Sequence, residues 1–140
     1  MTPRLPSVHH VVFCLQPDHL DAAAHYWRDL GFEFTEFHLD DVGLRILLDW
    51  GGGVELIAPV DGAGPEAERY RAHLRDKGEG VYSVCVRVPD VDGPRNAAAR
   101  HGAAVEFEQD RRGEGYRLDE VQLGPVHGIS VTLLATDLPD

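Results

Sequence analysis

Two similar stretches decide the fold: QPDHLDAAAHYWRDLGFEF at residues 16–34 and VPDVDGPRNAAARHGAAVEF at residues 88–107. Each contains a Pro-Asp turn, an Ala-rich helix, a glycine that ends the helix, and a following strand that closes on Glu-Phe. Duplication of one supersecondary unit is the simplest explanation of this similarity. By itself the repeat indicates architecture and not chemistry.

The segments around each repeat predict one strand before the helix and three strands after it, because β-branched and apolar runs alternate with Gly, Pro and Asp turns. In the first half, strands are predicted at 8–15, 32–39, 44–50 and 54–59, with a helix at 20–30. In the second half, strands are predicted at 81–88, 104–108, 116–123 and 129–135, with a short helix at 94–101. The predicted fold class is therefore α+β, with one domain (1–140) made of two βαβββ modules, at about 8–60 and 81–135, joined by a helix at about 65–77.

Composition limits the kind of protein this can be. With 140 residues, 43% hydrophobic and 26% charged, the chain has enough apolar material for one globular core. No run approaches the roughly 18 apolar residues that span a bilayer, and the N-terminus MTPRLPSVHH has no signal-peptide core. We expect a cytoplasmic protein that does not bind membranes, with Cys14 and Cys85 as buried thiols.

The charge balance excludes one class of partner. The formal net charge is -11, the sequence pI is about 5.0, and no basic stripe occurs along the chain. Nucleic-acid binding is therefore not expected, since it depends on clustered Lys and Arg. An acidic chain would favour a cationic small molecule.

Two adjacent histidines stand in the first predicted strand, in VHHVVF at residues 8–13. Neighbouring side chains of a strand point to opposite faces, so His9 and His10 cannot both enter one site. The hairpin at 111–122 is predicted to be exposed, and its tip could close over a ligand, with Arg111 and Arg112 meeting an anion.

Four stretches carry a resemblance that covers almost the whole chain: VHHVVF, VELIAPV at 54–60, LRDKGEGVYSVCVRVPDVD at 74–92 and GPVHGISVTLL at 124–134. In these the chain resembles the vicinal oxygen chelate superfamily, which includes glyoxalase I, methylmalonyl-CoA epimerase, dioxygenases and bleomycin-resistance proteins. The epimerase-like branch is the most similar. The resemblance implies that the curved sheets of the two paired modules enclose one cavity.

The family's metal ligands come from four strand positions, and the resemblance places them one by one on this chain. The first falls on His10, with His9 as the alternative, and the second on Glu55. The third and fourth, a histidine and a glutamate in the family, fall on Ser83 and Thr132. Half of the ligand set is therefore replaced by neutral hydroxyls.

This replacement bears on both cofactor and mechanism. Divalent transition metals want several imidazole, carboxylate or thiolate donors around one point, so a tightly held metal is not expected. A weakly held ion would need water, substrate, or a side chain such as His38, Cys85 or His127 to complete its coordination. Because Thr132 cannot abstract a proton at neutral pH, an enzyme would depend on Glu55 or His10 as general base.

Two functions follow from these observations. The first is a lyase or isomerase that moves a proton on a small carbonyl compound in the cavity, with His10 and Glu55 as the catalytic pair. The second is a metal-free protein that binds a drug or antibiotic, as bleomycin-resistance proteins do. In either case the ligand is a small molecule, and a homodimer is the expected assembly.

Overall fold

The computed structural model describes residues 4–60, 64–113 and 116–139. These residues form two compact units. One is His10–Tyr82, and the other is Ser83 onward together with the N-terminal stretch up to His9. No helix among the described residues is long and apolar enough to cross a membrane.

The first module has the predicted βαβββ order, with strand order β2-β3-β4-β1 in its sheet. β1 runs parallel to β4, whereas β2, β3 and β4 are antiparallel neighbours. Its elements are β1 (Ser7–Cys14), α1 (Leu20–Asp29), β2 (Thr35–Leu39), β3 (Leu44–Asp49) and β4 (Val54–Pro59).

Because side chains alternate along each strand, the two faces of the first module's sheet pack against different residues. Val54, Leu56 and Ala58 of β4 pack with Leu20 and Ala24 of α1. The intervening residues of β4 belong to the opposite face, where the buried cluster contains Val12, Cys14, Leu44, Ile46, Ile57, Tyr70 and Tyr82. Glu55 therefore lies on the face that α1 does not cover.

The helix after β4, α2 (Pro65–Asp76), begins at the predicted proline and ends one residue before the predicted limit. Gly78 follows it with φ +83°, a conformation that glycine adopts without strain. Tyr70 of this helix belongs to the same buried cluster as Val12 and Ile57. The helix thus packs as part of the first unit's core, in addition to joining the modules.

The second module repeats the order, with strand order β6-β7-β8-β5. β5 runs parallel to β8, and β7 is antiparallel to both of its neighbours. Its elements are β5 (Gly80–Arg87), α3 (Asp92–Arg100), β6 (Val105–Gly113), β7 (Tyr116–Leu123) and β8 (Val131–Thr136). One apolar cluster forms its core, made of Val88, Ala103, Val121, Leu123, Leu133 and Ala135.

The fold class is thus confirmed as α+β with two βαβββ modules, but β2 and β6 each have one limit that differs from the prediction by three residues or more. β2 begins at Thr35 and not at Phe32, because Phe32 and Phe34 pack against the α1 cluster. β6 continues to Gly113 and not only to Glu108, so Arg111 and Arg112 lie in a strand. The tip of that hairpin, at 114–115, lies outside the described residues.

Candidate functional site

His10 and Glu55 meet on the face of the first module's sheet that α1 does not cover. The Nε2 atom of His10 lies 3.3 Å from Oε2 of Glu55, and the two side chains are 6% and 14% exposed. This separation is within ion-pair range when the imidazole is protonated. The structure therefore brings together the two residues on which the sequence places the chemistry.

Strand register explains why these two side chains meet. Val12 of β1 pairs with Glu55 of β4, and His10 lies two residues before Val12 on the same face. His9 belongs to the other face and is only half-buried, whereas His10 is buried. The prediction that the two histidines diverge is confirmed, and His10 is the one that contacts Glu55.

The surroundings of the pair leave one carboxylate oxygen available. The Trp50 ring, at the end of β3, lies 6.3 Å from the His10 ring with an interplanar angle of 42°. Within the described ranges, Oε1 of Glu55 has no hydrogen-bond or ion-pair partner, while Oε2 faces His10. Glu55 can therefore accept a proton at Oε1 while its other oxygen stays next to the imidazole.

Ser83 and Thr132 form the corresponding pair in the second module. Their hydroxyl oxygens are 2.8 Å apart, and Ser83 Oγ also donates weakly to the Ser130 carbonyl at 3.4 Å. Cys85 pairs with Thr132, just as Val12 pairs with Glu55, and Ser83 lies two residues before Cys85. The register supports the equivalence of Ser83 with His10 and of Thr132 with Glu55.

The donor set of the described residues does not fit a tightly bound transition metal. His10 and Glu55 supply two donors, and no group of three or more His, Cys, Asp or Glu side chains suited to a metal occurs in the part of the chain that the structure describes. Structural zinc sites use four such ligands, and catalytic ones use three.

The three side chains considered as extra ligands lie on three different elements. His38 is on β2, at the edge of its sheet, with Nε2 3.6 Å from Oε1 of Glu36. Cys85 is buried on β5 next to Thr132. His127 is exposed in the turn before β8, at φ +52°.

The sequence matches the family model described as the glyoxalase/bleomycin resistance protein/dioxygenase superfamily over residues 9–118. The chain belongs to this superfamily, which is the vicinal oxygen chelate superfamily. A comparison with curated proteins gives no match.

Solved structures of this superfamily's fold are similar over nearly the whole chain. A methylmalonyl-CoA epimerase variant from Streptomyces coelicolor, in complex with 2-nitronate-propionyl-CoA, is 24% identical, covers 96% of this chain and 100% of its own, and has a TM-score of 0.68. The Mycobacterium tuberculosis methylmalonyl-CoA epimerase is 25% identical, covers 96% of this chain and 91% of its own, and has a TM-score of 0.66. A hypothetical protein from Bacillus halodurans is 15% identical, covers 98% of this chain and 99% of its own, and has a TM-score of 0.73.

Three aromatic side chains in or beside the buried cluster that contains Val12 and Ile57 were not predicted as part of a site. The Tyr70 and Tyr82 rings stack at 4.3 Å with an interplanar angle of 21°, and His73 contacts Tyr82 edge-on at 4.9 Å. Burial is the main cause that lowers the pKa of His73. The sequence signal for Tyr70 was its helical spacing with Ala67 and Leu74, which shows only that it faces a core.

Proposed function

We propose that this protein is an enzyme, a lyase or isomerase, that removes and returns a proton next to the carbonyl group of a small molecule. Glu55 is the general base and His10 is its charge partner. The observation that carries the proposal is the 3.3 Å approach of His10 Nε2 to Glu55 Oε2 on a buried face of the first module.

The geometry suits a carboxylate base. A base must reach the proton directly, and Oε1 of Glu55 is the oxygen that His10 does not face. A protonated His10 stabilises the carboxylate form of Glu55 through a charge-assisted contact. Thr132, at the position where the family carries a glutamate, has no such capacity.

The substrate class follows from the chemistry and from the neighbours. Proton removal by a carboxylate is feasible where the resulting carbanion is delocalised into a carbonyl, as in thioesters and 2-oxo acids. The Streptomyces coelicolor epimerase structure contains 2-nitronate-propionyl-CoA, and another methylmalonyl-CoA epimerase structure contains methylmalonyl-CoA. Acyl-CoA thioesters with an acidic carbon next to the thioester are therefore the first compounds to test, followed by free 2-oxo acids.

Proton exchange in D₂O tests the proposal without requiring the final product to be known. Each compound is incubated with the protein, and deuterium incorporation is followed by mass spectrometry. We expect incorporation with at least one carbonyl compound, and a loss of about 100-fold or more in Glu55→Gln, the usual range for a missing general base. His10→Gln should also slow exchange, because the carboxylate loses its charge partner.

Matched variants control for surface charge and for loss of fold. Glu33→Gln and His25→Gln change an exposed carboxylate and an exposed imidazole of the same unit, and both should exchange at the parent rate. Exchange that is equally fast in Glu55→Gln would contradict the proposal. If no carbonyl compound exchanges while a cationic antibiotic binds tightly, the protein belongs with the binding proteins.

A further inference from the structure

β2 is an edge strand that carries an exposed aromatic side chain. It pairs with β3 on one side, and among the described residues no strand pairs with its other side. Phe37, in the middle of the strand, is 43% exposed. An edge strand presents backbone N–H and C=O groups to any further strand, and proteins often block it with proline, lysine or a bulge. β2 contains neither residue, and its pairing with β3 is continuous.

Symmetry limits how β2 can pair with the same strand of a second copy. Two identical antiparallel strands are related by a two-fold axis normal to the sheet, so each register is centred on one residue that faces itself. Directly opposite side chains lie on the same face and within contact distance. With Phe37 at the centre, Glu36 lies opposite His38 of the second copy, and Thr35 lies opposite Leu39 of the second copy.

The register centred on Phe37 brings together side chains that attract each other. The side chains of Glu36 and His38 are 39% and 58% exposed, and an imidazole donates a hydrogen bond to a carboxylate in either protonation state. On the other face, the two Phe37 rings form a cross-strand aromatic pair. Centring on Glu36 would instead place two carboxylates opposite each other, and centring on His38 would place Glu36 opposite Asp40. The strand is therefore self-complementary in one register.

β6, the edge strand of the second module, does not have this property. Every antiparallel self-pairing centred on a residue from 106 to 112 places side chains of like charge opposite each other. Centring on Gln109, for example, places Glu108 opposite Asp110 of the second copy. Like charges directly opposite destabilise a strand pair. Charge thus blocks self-pairing of β6, whereas β2 has a register that charge favours.

We propose that β2 is the docking strand of a homodimer, in which two copies of this chain extend one sheet by antiparallel pairing centred on Phe37. The proposal does not depend on the proposed function, because His10 and Glu55 lie on other strands, β1 and β4. A pair of five-residue strands is a small interface, and small interfaces are weak. We therefore expect a dimer with a Kd in the micromolar range.

Analytical ultracentrifugation over a range of protein concentrations measures the Kd of this dimer. A salt concentration of about 0.15 M screens the long-range repulsion between two chains of net charge -11. His38→Glu places a carboxylate opposite Glu36 twice in the dimer and should weaken the Kd at least about tenfold. His25→Glu makes the same change of charge at an exposed position of α1, and its Kd should equal that of the parent.

Cysteine cross-linking tests the register directly. In Phe37→Cys the two introduced thiols lie opposite each other, about 5 Å apart between Cα atoms, which suits a disulfide. In Thr35→Cys, the matched control on the same face, they lie about 14 Å apart and should not cross-link. The parent controls for its own buried cysteines, Cys14 and Cys85.

Three results would each overturn the proposal. The first is a parent that sediments as a monomer at the highest concentration reached, and the second is a dimer whose Kd is the same in His38→Glu. The third is a disulfide that forms in Thr35→Cys and not in Phe37→Cys, since the two copies would then meet in another register.

Discussion

Ser83 occupies in the second module the register position that His10 occupies in the first. Each lies two residues before the strand residue that pairs with its module's other site residue, Thr132 or Glu55. The duplicated backbone has kept its hydrogen-bonded register, whereas an ionisable pair in one module corresponds to a hydroxyl pair in the other. The asymmetry therefore lies in side-chain chemistry and not in the fold.

Restoring the missing donors should create metal affinity. We expect the parent to bind Zn²⁺ or Co²⁺ weakly, because His10 and Glu55 are only two donors. The double variant Ser83→His with Thr132→Glu supplies an imidazole and a carboxylate at the family's other two ligand positions. Its affinity should rise by about two orders of magnitude or more, measured by isothermal titration calorimetry.

Ser83→Ala with Thr132→Val is the matched control for this gain, since it removes the same hydroxyls without adding a ligand. Its metal affinity should equal that of the parent. Stoichiometric binding to the parent at sub-micromolar concentration would show that other side chains complete a site and that the donor count is misleading.

The Ser83–Thr132 contact should contribute measurably to stability. The two buried hydroxyls are 2.8 Å apart, and a hydrogen bond of this kind contributes about 1 kcal/mol. A double-mutant cycle of Ser83→Ala and Thr132→Val, followed by urea unfolding, should give a coupling free energy of about 1 kcal/mol. Thr35→Val, at an exposed strand position, serves as the control, and strictly additive effects would argue against the contact.

Both cysteines should be unreactive in the folded protein. Cys14 and Cys85 are buried thiols, and burial, aided by Glu79, raises the pKa of the Cys14 thiol to about 12. The reactive thiolate is therefore scarce at pH 8. Ellman's reagent should modify neither residue in the native protein and both in denaturant, and rapid native modification would show that one thiol is accessible.

The contribution of Glu66 to the free energy of unfolding should decrease as pH rises. Burial raises its pKa in the folded protein, although contact with Arg69 acts in the opposite direction. A raised folded-state pKa gives a stabilising contribution that is complete below the unfolded value near 4.5 and is lost as pH rises through the folded value. The free energy of unfolding of Glu66→Gln, relative to the parent, should therefore increase between pH 4 and pH 7.

Urea unfolding at several pH values measures this difference. Glu68→Gln provides the comparison, because Glu68 lies on the same helix but is 58% exposed. A Glu66→Gln difference that is independent of pH would show that the buried carboxyl titrates with its ordinary pKa.

Local signals were sufficient for most of the secondary structure. β4 and β7 have the predicted limits, because Gly- and Pro-containing segments bound them in the sequence. Period-two alternation alone also separated His9 from His10. The predicted strand limits were wrong where tertiary contacts overrode local propensity. Phe32 and Phe34 pack against α1 and do not begin β2. β6 is longer than predicted because its residues up to Gly113 pair with β7.

What the sequence by itself determined was therefore the α+β class and the two βαβββ modules, and its resemblance to the superfamily pointed to His10 and Glu55 as the residues for the candidate site. Only the tertiary structure decided that His10 and Glu55 lie 3.3 Å apart and that Tyr70 lies on the same sheet face. The physical reason is that helix and strand signals arise between residues close in sequence. The register of β1 against β4, and the docking of α2, depend on contacts between segments far apart in the chain, which no local pattern encodes.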